Sequence, residues 1–178
     1  ALGHPTHQVI IVTPDRALAP LIIAACAAQG VVVNDSAGEV LPATSPAQFF
    51  MLILDVIQAV NHPVDLLALI KHPLFNTDHF SPDQVDRLNQ EYLRGIRPPS
   101  TWPSLLAVLK SRGAPDNIIS GLRQLGDILE PLARITDADH AAFLTTHIQV
   151  AETLAGLHEH ETIMWLGEDG VALADRLR

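Results

Sequence analysis

The residues best suited to chemistry are the nine histidines of this 178-residue chain. His158 and His160 alternate with Glu159 and Glu161 in "HEHET". A zinc protease helix needs two histidines four apart with a glutamate after the first, but Thr162 stands where the second would fall. On a helix His158 and His160 point apart, although a loop can gather them. His140 and His147 lie seven apart, a spacing that shares one helical face. His4 and His7 belong to the N-terminal arm. Solvated histidines are the favoured reading, and no metal is assigned. The stretch Asp35-Ser36-Ala37-Gly38 follows an apolar run, as a phosphate loop would. Such a loop needs converging backbone N–H groups, usually a lysine, and a helix directly behind. Here the glycine stands alone, no lysine is near, and the next helix signal waits until Ser45. A turn is expected, with Asp35 and Ser36 bonding local backbone and Gly38 supplying positive φ.

No nucleophile emerges. Cys26 lies within the apolar run from Leu21 to Ala28, where a buried, inert thiol is expected. No GxSxG or Walker A pattern occurs. Glu168 and Asp169 open the last helix, where the helix dipole alone explains them. Trp102 and Trp165 border loops; they can stack on a base, but pinning a loop to a core is the commoner use. No catalytic residue, cofactor site or metal site is expected.

These residues must be positioned by two unlike parts. Val9-Ile10-Ile11-Val12 and Val31-Val32-Val33 read as buried strands. Between them Thr13 suits an N-cap, Pro14 the first helical position and Asp15 the positive helix end. A helix is expected to about Gln29, with Gly30 as its stop. Strand, helix and strand with tight joints make a right-handed, parallel βαβ unit. Two parallel strands are not stable alone, so this α/β part reads as incomplete; Glu161–Leu166 is a candidate third strand, and reads equally well as a loop.

From Ser45 the character is all helical. Ser45-Pro46-Ala47-Gln48 and Ser81-Pro82-Asp83-Gln84 are capping-box patterns. Phe49, Ile53, Val56, Ile57 and Val60 repeat at helical spacing, with Phe50, Leu52 and Leu54 on another face. A short helix Val64–Lys71 stops at Pro73. Val85, Leu88 and Tyr92 form a narrow stripe, and a further short helix is expected around Leu105–Leu109. Ile118, Leu122, Leu125, Leu129 and Leu132 form a seam that Pro131 should kink or end. A long helix opens at Thr136-Asp137, and a last one covers Glu168–Leu177. The expected organisation is a βαβ unit over residues 1–44 and a helical domain over 45–178.

Eleven Lys and Arg against twenty Asp and Glu give a formal net charge of −9. Polyanion binding over the whole surface is disfavoured. Arg87, Arg94, Arg97 and Lys110 are the residues to watch for local nucleic-acid contact, with solvated surface cations as the plainer reading. The single cysteine favours a reducing, cytoplasmic setting. No apolar run is long enough for a bilayer, so no membrane partner is expected. The chain opens on Ala1, which hints at an excised or processed piece.

Several segments, in order, resemble one family. "VIIVTPDRALA" carries Thr13, Pro14, Asp15 and Arg16. "VVVNDSAGEVLPATSPAQFFMLIL" carries Asp35, Ser36 and Gly38, then a Pro-x-x-Phe helix start. "LLALIKHPLF" carries Lys71, His72 and Pro73. "WLGEDGVALADRL" carries Trp165, Gly167 and Glu168. Together they are similar to AddB, the second subunit of a bacterial helicase–nuclease of double-strand break repair. The stretch from Ser81 to Ala155 carries little of the pattern. The resemblance implies a superfamily 1 helicase fold with a decayed ATPase. This chain would be the start of its second RecA-like (2A) domain followed by the helical 2B insertion, with the remaining strands beyond residue 178. Where active relatives place a phosphate-reaching arginine, Thr13 stands, with Arg16 close by. The family's nuclease motif and cluster cysteines are absent, since one cysteine cannot ligate an iron–sulfur cluster. The implied role is non-catalytic: a scaffold beside an AddA-like partner subunit, or a wall of the DNA path. The alternative is an autonomous helical interaction module unrelated to DNA repair.

Overall fold

The computed structural model describes residues 9–36, 40–58, 62–95, 101–135, 140–158 and 161–177. It divides into two compact units, residues 1–39 and 40–178. The break thus falls five residues before the position read from the sequence.

In the first unit, α1 spans Leu18–Ala27. It starts later than its sequence signals suggest, and Pro20 supplies the reason. A helix begun at Pro14 would put Pro20 in its interior, where the ring clashes and a hydrogen bond is lost. Begun at Leu18, the helix holds Pro20 in the first turn, where its missing N–H costs nothing. Thr13 and Asp15 then act before the helix rather than on it. Thr13 Oγ1 accepts from the Asp15 N–H at 3.1 Å, and Asp15 Oδ1 accepts from the Ala17 N–H at 2.9 Å. The helix ends at Ala27, two residues short of Gln29, but Gly30 turns the chain as expected: it takes φ +71°, and the Val31 N–H closes back onto the Cys26 carbonyl at 3.0 Å.

The βαβ expectation is corrected here. Val9–Val12 and Val31–Val33 form no strand among the described residues. Val9 to Val12 are 58–89% exposed and Val32 is 99% exposed. Two apolar segments with no third strand and no second layer gain too little burial to hold a ladder. For the same reason α1 has no buried residue, and Cys26 is half-buried rather than enclosed.

The second unit is a helical bundle built around α2 (Ser45–Gln58). Phe49, Ile53 and Val56 are fully buried and Phe50 nearly so, because α2 packs against helices on several sides. Its start departs from a capping box: the helix begins at Ser45 itself, and the Gln48 side-chain amide donates to the Ala43 carbonyl at 3.1 Å. The seven helices of this unit among the described residues continue with α3 (Pro63–Ile70) and α4 (Pro82–Arg87), which runs into a π turn at Leu88–Tyr92. The Ser81 box on α4 is complete, with Gln84 N–H to Ser81 Oγ at 3.3 Å and Ser81 N–H to Gln84 Oε1 at 2.8 Å. Then follow α5 (Trp102–Ser111), α6 (Asp116–Ala133), α7 (His140–Leu154) and α8 (Gly167–Leu177). The α6 seam is buried from Ile118 to Leu132. Pro131 falls in its last turn, and the helix stops two residues on.

The candidate third strand resolves differently. Glu161–Thr162 (β2) pairs antiparallel with Leu157–His158 (β1) in a two-residue ladder, and Ile163–Trp165 is a 3-10 turn. Among the described residues this is the whole of the sheet. The chain is therefore mainly α. No described helix is long and apolar enough to cross a membrane.

Candidate functional site

The motif residues mostly lie where the chain changes direction. In the first unit, Arg16 Nη1 meets the Asp35 carboxylate at 3.2 Å, joining the TPDR and DSAG stretches. Ser36 sits in a turn, and Gly38 lies outside the described residues.

Lys71, His72 and Pro73 form the exit from α3. The His72 ring is half-buried, lies 5.0 Å from the Phe49 ring, and accepts from the Leu74 N–H at Nδ1 at 3.2 Å. Burial lowers its pKa, which suits a ring nitrogen kept unprotonated as an acceptor. Lys71 Nζ reaches Asp86 at 3.7 Å across to α4. The turn carries the chain to α7: Asn76 N–H donates to the Leu154 carbonyl at 2.8 Å and Gly156 N–H to the Leu74 carbonyl at 3.0 Å.

Trp165 Nε1 donates to Glu152 on α7 at 2.7 Å. Gly167 adopts φ +74° to swing the chain into α8. A β-carbon on Gly170 would lie 2.5 Å from the Trp165 carbonyl carbon, so this helix turn presses directly on the preceding backbone. Glu168 is exposed in the first turn of α8.

The described histidines do not converge. His140 is exposed at the start of α7, whereas His147 is 1% exposed. His147 Nε2 donates to the Phe50 carbonyl at 2.9 Å, and its ring stacks on Phe50 with centroids 3.5 Å apart. Burial pushes its pKa down to about 4, against a smaller upward pull from the Phe50 bond. His158 contributes backbone to β1; His4, His7 and His160 lie outside the described residues. Among the described residues no group of three His, Cys, Asp or Glu gathers as metal ligands do.

The described cations among those watched, Arg87, Arg94 and Lys110, line no common hollow. Arg87 Nη2 donates to Glu91 at 3.4 Å and to Tyr92 Oη at 3.3 Å, and the bond to Glu91 leads in holding the guanidinium charged. Arg94 borders a shallow hollow of about 550 Å³ with Val64, Leu67 and Leu93. Arg97 is outside the described residues. Lys110 borders a separate cleft of about 740 Å³ between α5 and α6.

That cleft is the feature sequence reading missed. Trp102, Leu106 and Lys110 recur at intervals of four on α5, as do Ile119, Arg123 and Asp127 on α6. Each set is one helical face, but the partner of each face is visible only once α5 folds back on α6. Trp102 packs on Gly126, where an added β-carbon would sit 3.2 Å from the indole.

No family model, curated protein or solved structure matches this chain. The likeness to AddB thus stands on the quoted stretches.

Proposed function

We propose that this chain is a non-catalytic module of an AddB-like subunit, within an ATP-dependent helicase–exonuclease complex that processes double-strand breaks for recombination. It serves as a scaffold beside an AddA-like partner, or as a flank of the DNA path, in the cytoplasm. The observation that carries this reading is the use made of the motif residues. Arg16 pairs with Asp35 within the first unit, His72 bonds the Leu74 N–H at the exit from α3, and Trp165 is tied to Glu152 of α7 just ahead of α8. Residues spent on geometry suit a part that holds others in place. The gene sequence on either side tests the lineage: a RecA-like domain upstream and a cysteine-bearing nuclease segment downstream are expected, and a reading frame ending near Arg178 would overturn it. The isolated chain should bind labelled duplex DNA weakly or not at all, given its net charge of −9. Submicromolar, steeply salt-dependent binding would contradict a purely scaffolding role. Variants at Arg87, Arg94, Arg97 and Lys110 would then locate the contact. The second reading, a helical interaction module unrelated to repair, is favoured by the cleft between α5 and α6.

A further inference from the structure

We infer that the α5–α6 cleft is a docking trough for an amphipathic helix of a partner protein, one that carries an acidic and a basic side chain about two helical turns apart. The inference does not rest on the AddB reading. The floor is apolar, with Ile57, Trp102, Leu106 and Ile119 on it. From Ile119 to Ala133 the α6 side spans about 20 Å at 1.5 Å per residue, room for roughly four turns of a helix laid alongside.

Charge selects the occupant. Lys110 and Arg123 stand toward the end where α5 turns into α6, and Asp127 and Glu130 toward the other. Arg123 and Glu130 are separated by about 10 Å along α6. Among the described residues neither cation is in an ion pair, and neither is Asp127; Glu130 holds Arg134 at 2.6 Å. Two cations and two anions cancel, which disfavours a polyanion such as nucleic acid. A polarised trough instead suits a helix with its acidic side chain over Lys110 and Arg123 and its basic one over Asp127 and Glu130, in register with apolar residues at i and i+4.

The test is display of a random 14-residue peptide library on the intact protein, followed by anisotropy with the labelled consensus peptide. Enriched peptides should share an apolar i, i+4 stripe with an acid and a base about seven residues apart. K110E/R123E should weaken the consensus peptide at least tenfold, and adding D127K/E130K should restore binding of a charge-reversed peptide. Ala107 is exposed on the trough wall, so A107W should block binding with an unchanged melting curve. Any one of three results overturns the proposal: peptides that bind K110E/R123E and A107W as well as the parent, displacement of the consensus peptide by an equimolar oligonucleotide, or a stable dimer in sedimentation that A107W dissociates.

Discussion

Protonating His147 should cost the fold about 3 kcal/mol, spread over a defined pH range. The ring is enclosed between Phe50 and Phe143, and its Nε2–H is committed to the Phe50 carbonyl. A positive charge there has almost no water around it, and so the pKa falls from 6.5 to about 4. In the unfolded chain the same ring titrates near 6.5. As pH drops below 6.5 the unfolded state takes up a proton that the folded state refuses. Stability is therefore full above about pH 6.5, declines down to about pH 4, and is flat below. At 1.36 kcal/mol per pH unit, the drop from 6.5 to about 4 amounts to about 3 kcal/mol. Urea unfolding followed by circular dichroism from pH 7.5 to 3.5 measures it. His147→Phe provides the reference. It loses one hydrogen bond, about 1 kcal/mol, at every pH, but it cannot titrate. Carboxylates titrating near pH 4 contribute to both proteins and drop out of the difference. If the two stability profiles run parallel from pH 6.5 to 4, or if the ring's NMR titration falls near 6.5, the enclosed-histidine reasoning is refuted. His72, half-buried, shifts in the same direction, and its contribution cancels in the same comparison.

Removing the Ser81 cap in S81A should cost about 1 kcal/mol and lower the thermal midpoint by a few degrees, with loss of amide protection confined to α4. L122A, at a fully buried position in the α6 seam, should cost about 3 kcal/mol in urea unfolding. G170A should cost about 2 kcal/mol or more, because the new methyl meets the backbone of Met164 and Trp165 rather than a side chain that can move. Hydrogen exchange should show α1 nearly unprotected while α2 and α6 exchange last, since α1 buries nothing and the other two line the core.

The helices of the second unit were legible because their signals are local. The Ser81 box and the Ile118-to-Leu132 seam each depend on neighbours within a few residues, as does the positive-φ stop at Gly30 in the first unit. The start of α1 was misread because Thr13-Pro14-Asp15 is a good cap signal that Pro20 overrules. The strands were misread for another reason. A β-branched run states a preference for burial between layers, and nothing within Val9–Val12 says whether those layers exist. Burial of His147 was equally hidden, because its spacing from His140 fixes only a helical face. The cleft was hidden because it is made by two helices: Lys110, Arg123 and Asp127 line one hollow only once α5 folds back on α6.

The two units differ in what sustains them. In the second, α2 alone buries four large apolar side chains, and α6 buries five along its seam. In the first, α1 is ten residues long without one buried side chain. Fixing each residue of a helix costs roughly 1–2 kcal/mol of backbone entropy, and isolated helices this short are marginal in water. The Arg16–Asp35 pair is exposed and adds at most about 1 kcal/mol. A segment so rich in Val, Ile and Leu yet so poorly covered has little apolar burial to hold it. The unit is held by local hydrogen bonds at the ends of α1 and by one ion pair rather than by a core.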